Sequence, residues 1–258
     1  MMKKTLVALA LAATTVSGSA MAWTANGTGG SVDLGGTLTP QANLTPWEIL
    51  IGSAVANLNA DIKIGSKVVD VPVKNSIPVL GIRTQTKQTF VGGPGLAPQI
   101  DFGGAFDVDH IINSAALLSM NVLNSKDNSI IGGLTVPMIS TATSSWSDSN
   151  NAQSKIIYAS KAGEAFFGGL SKNVGGLSVA DSFPKVVAII PDLSANFIEQ
   201  GQWGSSGVET YTDTNGHFSG FYGAGIEAGN VMKLTLNAPA ASDAITWKAS
   251  LPVTVSYQ

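Results

Sequence analysis

The sequence predicts an all-β fold, on three observations. Its 258 residues hold 29 Gly and 11 Pro spread along the whole length, with segments rich in Val, Ile and Thr between them, the punctuation of many short strands and turns. In several of these segments apolar residues recur at every second position. A strand turns successive side chains to opposite faces, whereas a helix repeats its apolar stripe every three to four residues. Only one region departs from this pattern, and it is confined to the stretch between Ser154 and Gln200.

Residues 1–22 read as a secretory signal. Lys3 and Lys4 precede the apolar run "TLVALALAATTV", and Ala20-Met21-Ala22 has the small-x-small form of a cleavage site. The run is too short to anchor a chain in a bilayer. Cleavage would leave 236 residues beginning at Trp23, exported and soluble. Residues 23–41, "WTANGTGGSVDLGGTLTPQ", read by themselves as an ordinary first strand behind a leader. There Val32, Leu34, Gly36 and Leu38 share one face of a period-two segment that follows a Gly, Asn and Thr leader. Glycine inside such a segment often marks close approach of another backbone.

Residues 41–258 continue as strands and turns. "DIKIGSKVVDVPVK" alternates through Ile62, Ile64, Val69, Val71 and Val73, and "PVLGIRTQTKQTFV" is a further strand. "ALLSMNVLNSKDNSIIGGLTVPMIS" reads as two strands joined through Ser125 to Ser129. "VETYTDTNGHFSGFYG" reads as a hairpin turning at Asn215-Gly216, and "NVMKLTLNA" alternates through Met232, Leu234 and Leu236. One or two short helices are expected between Ser154 and Gln200, with Ser182 a candidate cap and Pro184 near a helix start. From Ile245 the closing "ITWKASLPVTVSYQ" places Ile, Trp, Ala, Leu, Val, Val and Tyr on one face and polar residues or Pro252 on the other. It reads as one strand whose free backbone edge calls for a partner.

Composition excludes several classes of function. Loss of Lys3 and Lys4 moves the formal net charge from −3 to −5, the wrong sign for nucleic acid or an anionic membrane. Charged residues are 12% of the chain, about half the usual share, which suits a subunit that covers itself with neighbours. The absence of cysteine removes disulfides, thiolate metal sites and a Cys nucleophile.

No constellation of catalytic or metal-binding residues stands out. In "FDVDHI" a strand would turn Asp107 and Asp109 to one face and His110 to the other, and a lone His seldom holds zinc. His217 reads as a turn residue. "DTNG" at Asp213 lacks the later ligands of a calcium loop. "GAGIEAG" lacks the spacing of a dinucleotide fingerprint, and a Gly-x-Ser-x-Gly elbow is absent. The Asn26 and Asn43 sequons are of a kind that chance produces. The chain is read as a non-enzyme without cofactor or metal.

The two ends carry a resemblance. "KKTLVALALAA", "GSVDLGGTLT", "FFGGL", "YGAGIEAGN" and "TWKASLPVTVSYQ", with its penultimate Tyr257, are similar to the FaeG-type, or kappa class, subunits of chaperone-usher fimbriae. The resemblance covers both ends well and the middle poorly. It implies an incomplete immunoglobulin-like sandwich lacking its last strand, with a short helical subdomain inserted at about residues 140–205. It also implies polymerisation by donor-strand exchange. Residues 23–40 would be an N-terminal donor-strand extension in which Val32, Leu34, Gly36 and Leu38 form the donor strand, and Leu251, Val253, Val255 and Tyr257 would line the groove and its chaperone-facing edge. A chain of such links closes no ring and grows as a filament.

The partners so implied are sister subunits, a periplasmic chaperone, an outer-membrane usher and a host glycan, and the destination is the cell-surface fimbrium. For the glycan the candidate residues are Trp146, Tyr158 and Trp203, Trp146 lying in the polar stretch "TSSWSDSNN" where exposure is expected. The Phe166-Phe167 pair is expected to pack a helix on the sandwich. A minor subunit of the same fimbria, at tip, base or intervals along the shaft, is the alternative. A secreted carbohydrate-active enzyme would need paired carboxylates across a cleft, and Asp107, Asp109, Glu164 and Glu227 form no such pair in the sequence.

Overall fold

A computed structural model describes residues 34–38 and 44–258. The predicted signal peptide and Val32 lie outside the described residues. The chain divides into two compact units, Met1–Ala42 and Asn43–Gln258. In the first, Leu34–Leu38 belong to no strand and Leu34 and Leu38 are 93% and 95% exposed.

The second unit is all-β, as its alternating segments require. Its strands are β1 Trp47–Ile51, β2 Val68–Pro72, β3 Ile77–Thr84, β4 Phe90–Val91, β5 Pro98–Asp101, β6 Ala115–Asn124 and β7 Ile130–Ser147. After these come β8 Ala152–Ile156, α1 Ser182–Ile189, β9 Gln202–Trp203, β10 His217–Ile226, β11 Val231–Leu236, β12 Trp247–Lys248 and β13 Thr254–Tyr257. The long strand β7 is the spine. Its second half pairs β10 on one edge and β8 on the other, and its first half pairs β11 and β6. Beyond β10 lie β3 and then β1, and beyond β11 lies β2.

Pro137 sits where β7 changes partners. The Leu117 carbonyl accepts from Asp107 N–H, so Leu117 and the opposite Pro137 form a pair without mutual hydrogen bonds. The missing proline N–H therefore faces the gap between the last β10 partner, Ile139, and the first β11 partner, Thr135. A proline is tolerated in a central strand at such a place because the ladder asks nothing of it.

Residues paired directly across strands share a face. Leu80, Ala142, Tyr222 and Ala224 turn to one face and enter the main core with Leu134, Val136 and Met232. On the opposite face Ile139 and Phe221 meet Val186, Ile189, Ile190 and Leu193 of α1 and the segment after it. Glycine permits this close packing: a Cβ on Gly223 would come within 2.6 Å of Leu193 Cδ2.

Several expectations change. The closing run is not one strand. β12 pairs β6, and β13 pairs β5 in a separate two-stranded sheet. Between them the chain crosses over, with Pro252 seated against Gly103, where a Cβ would lie 2.6 Å from the ring. The one or two short helices expected between Ser154 and Gln200 are found, as α1 and a single turn of 3-10 helix at Val174–Gly176. Ser154 belongs to β8, and most of the following stretch is turns. Asp181 rather than Ser182 precedes the helix; the Ser182 hydroxyl donates to Ser178 O at 2.6 Å, and Pro184 occupies the first turn, where its lack of an N–H costs little.

The Asn215-Gly216 turn is present, with Gly216 N–H bonded to Asp213 O, but the segment before it is no strand: Tyr211 has φ +57° and is fully buried. Asp61–Ile64 likewise lies outside β2.

Candidate functional site: an open strand edge

β13 has one satisfied edge and one open edge. Gln258 and Ala97 exchange both backbone hydrogen bonds, at 3.0 and 3.1 Å. Antiparallel alternation then assigns Ser256 and Thr254 to the set bonded to β5, and turns the N–H and C=O groups of Val255 and Tyr257 the other way. No strand pairs with that other edge among the described residues.

The side chains of the same residues form an unfinished surface. From Thr246 to Gln258 every odd position is half-buried and every even one exposed. Trp247, Leu251, Val253, Val255 and Tyr257 all rest on the main core without being covered by it. Between β1 and β2 the irregular segment Ser53–Ile62 makes no backbone hydrogen bond among the described residues, and its Leu58 and Ile62 also lie half-buried on that core. A strand laid on the open edge of β13 would gain both ladder bonds and apolar contacts.

The strand that supports β13 is itself supported by a turn that sequence reasoning assigned differently. Phe166 N–H donates to Pro98 O at 2.6 Å and Ile100 N–H to Phe167 O at 2.8 Å, on the edge of β5 that faces away from β13. Phe166 does not pack a helix. It is fully buried with φ +61°, stacked on Tyr222 at 5.5 Å and edge-on to Trp47 at 5.6 Å. Gln99, which carried no signal in the sequence, is buried and reaches from β5 into this turn.

The aromatic candidates for a glycan do not converge. Trp146 is half-buried on the main core. The pairing puts Trp146 in one row with Phe218 and Gln153, and Trp203 in the next row with Ser154, so the two indoles point to opposite faces of the sheet. Trp203 is 46% exposed, with Phe197 at 6.4 Å. Tyr158 is half-buried and its N–H is bonded to Gly207 O. Neither of two shallow clefts, of about 310 and 420 Å³, includes any of the three.

The acidic candidates are paired locally. His110, raised by the Asp107 carboxylate, and Asp109, lowered by the Lys172 ammonium, lie exposed on a single turn of 3-10 helix. Glu164 is buried, its carboxylate accepting from Ser160 N–H, Ser160 Oγ and Lys161 N–H. Among the described residues no group of three or more His, Asp or Glu could hold a metal ion.

Comparison with known proteins agrees with the ends and extends through the middle. A family model described as "Fimbrial, major and minor subunit" matches residues 2–258. The F41 fimbrial protein of Escherichia coli is 30% identical, over 99% of this chain and all of that protein. The K88 fimbrial proteins AB and AC of Escherichia coli are 26% and 27% identical, again over 99% of this chain and the whole of each relative.

Proposed function

This chain belongs to the family of major and minor fimbrial subunits, and from that premise we propose that it polymerises by strand donation, the extension of one copy completing the open edge of the next. As a family member it is a structural subunit of a surface fimbrium. The observation that carries the reading is the outward set of backbone groups at Val255 and Tyr257, in line with a half-buried apolar row from Leu251 to Tyr257. Val32, Leu34 and Leu38 are the side chains to fill that row, and Gly36 is the place where the donated backbone lies closest. At ~1.5–3 kcal/mol for each large aliphatic side chain buried, the three supply several kcal/mol before any ladder bond is counted.

The same edge serves a periplasmic chaperone before assembly and an outer-membrane usher during it, once the signal of residues 1–22 has directed export. Attachment to a host glycan belongs to the inserted region, where Trp203 beside Phe197 is the most open of the aromatic candidates. The family spans major and minor subunits, and the amount of this chain per fibre separates the two roles.

A chain lacking Val32 to Leu38 accepts a neighbour but cannot be donated, so mixing it with the intact chain should shorten fibres in proportion to its share. Electron microscopy reads the lengths. Fibres of unchanged length at equal mixing would refute strand donation by this segment.

A further inference from the structure

A two-stranded sheet is marginal by itself, yet β5 and β13 form one, separate from the large sheet. The turn Gly163–Gly169 supplies what the ribbon lacks. It runs beside β5 in a parallel bridge between Gln99 and Phe167, closed by the Phe166-to-Pro98 and Ile100-to-Phe167 hydrogen bonds. The ribbon thus has a third rail, its Gly163 standing 64 residues from Gln99 in sequence.

The Gln99 side chain ties rail to strand. Its Oε1 accepts from Gly163 N–H at 3.0 Å, and its Nε2 lies 3.0 Å from Glu164 O, 3.0 Å from Pro98 O and 3.2 Å from Ala97 O. Two amide hydrogens serve three carbonyls, so the group is fully engaged. Ala97 is also the residue that exchanges hydrogen bonds with Gln258, so the amide touches the end of the β13 ladder.

The turn is held in a form that few sequences adopt. Gly168 has φ +84°, and a Cβ there would lie 2.0 Å from Ile100 O. Phe166 takes a left-handed conformation although it is aromatic, a cost that persists only where the surroundings over-determine it. Its stacking on Tyr222, the Ala165 N–H bond to Glu209 O at 2.7 Å and the Tyr222 hydroxyl bond to Gly169 O at 3.2 Å do so.

We propose that the Gly163–Gly169 turn holds the open edge of β13 ready for its incoming strand, with Gln99 the positioning residue that links turn to edge. This rests on the assembly reading above. An edge already in place spares the incoming strand the entropy of ordering it.

The test compares Gln99→Met, which keeps the side chain's length and removes its hydrogen bonds, with Gly168→Ala, and sets both against Ile189→Ala. The last variant weakens the α1 core and touches neither β5 nor β13. Amide exchange at Thr254, Ser256 and Gln258 is read on assembled fibres, or on the soluble full chain if no fibre forms. Capture of a synthetic Ser31–Thr39 peptide is followed on the soluble full chain, whose edge no neighbour has filled.

Gln99→Met and Gly168→Ala should raise exchange at those three amides about tenfold relative to β3 and β10, and slow capture by a similar factor. Ile189→Ala should raise exchange in β10, on which α1 packs, and leave both the exchange at those three amides and the rate of capture unchanged. Unchanged protection in Gln99→Met, or a rise shared equally by β3 and β10, overturns the proposal. Failure of the unmodified chain to capture the peptide counts against strand donation instead, and the exchange pattern still decides the role of the turn.

Discussion

The two halves of β7 follow different rules within one strand. From Ile131 to Pro137 buried residues alternate with exposed or half-buried ones, and from Met138 to Ser145 every residue is buried. The first half has one wet face, as antiparallel sheets often do. Over the second half lie α1 and the chain from Ile190 to Gln200, so the same face that is open beside Leu117 and Pro137 is closed beside Phe221 and Thr143.

The difference lies in how the cover is attached. α1 is held by apolar packing, but the segment after it has little regular structure, and its backbone groups must find partners elsewhere. They find hydroxyls. Ser145 Oγ donates to Ile198 O at 2.6 Å, Ser219 Oγ accepts from Ile198 N–H at 3.0 Å, and Ser154 Oγ both donates to Gln200 O and accepts from Gln200 N–H at 3.0 Å. Thr84 and Asn196 bond each other's backbone in the same way. A run of Ser and Thr in a strand can therefore mark a face buried under irregular chain as well as a face in water.

The largest expected effect that separates the halves is Phe221→Ala. It empties the centre of the second core and should cost about 3–5 kcal/mol, read by chemical denaturation of the folded chain. A loss under 1 kcal/mol would mean that the cover is not packed as described.

Alkaline pH comes next. Burial, with the Glu209 carboxylate adding to it at Tyr211, pushes the phenols of Tyr211 and Tyr222 well above their ordinary value. A phenol raised in the folded state stabilises nothing extra below its unfolded value near 10. Above that the unfolded chain ionises first, and stability falls by about 1.4 kcal/mol per pH unit for each group. Replacing both with Phe should flatten the decline between pH 10 and pH 11, as followed by denaturation midpoints.

Ser145→Ala should cost about 1–3 kcal/mol, because it leaves the Ile198 carbonyl and the Gln200 Nε2 amide without their buried partner. The smallest effect belongs to the bare half. Leu117→Ala, at a side chain 52% exposed, should stay within about 0.5 kcal/mol. Equal losses at Ser145 and Leu117 would erase the distinction between covered and bare faces.

Local pattern was enough for the all-β class, the two strands joined at Ser125–Ser129 and the alternating row from Leu251 to Tyr257, because a two-residue period survives without neighbours. It also carried the family, through motifs at both ends. Long-range packing set the break at Pro252, the burial of the Ser and Thr run from Ser140 to Ser145, the placing of Trp146 and Trp203 on opposite faces, and the support of β5 by Gln99 and Phe166. Each of these depends on a contact between distant parts of the chain, such as Gln99 with Gly163 or Ser145 with Ile198. What a polar side chain meets there is not written in its immediate neighbours.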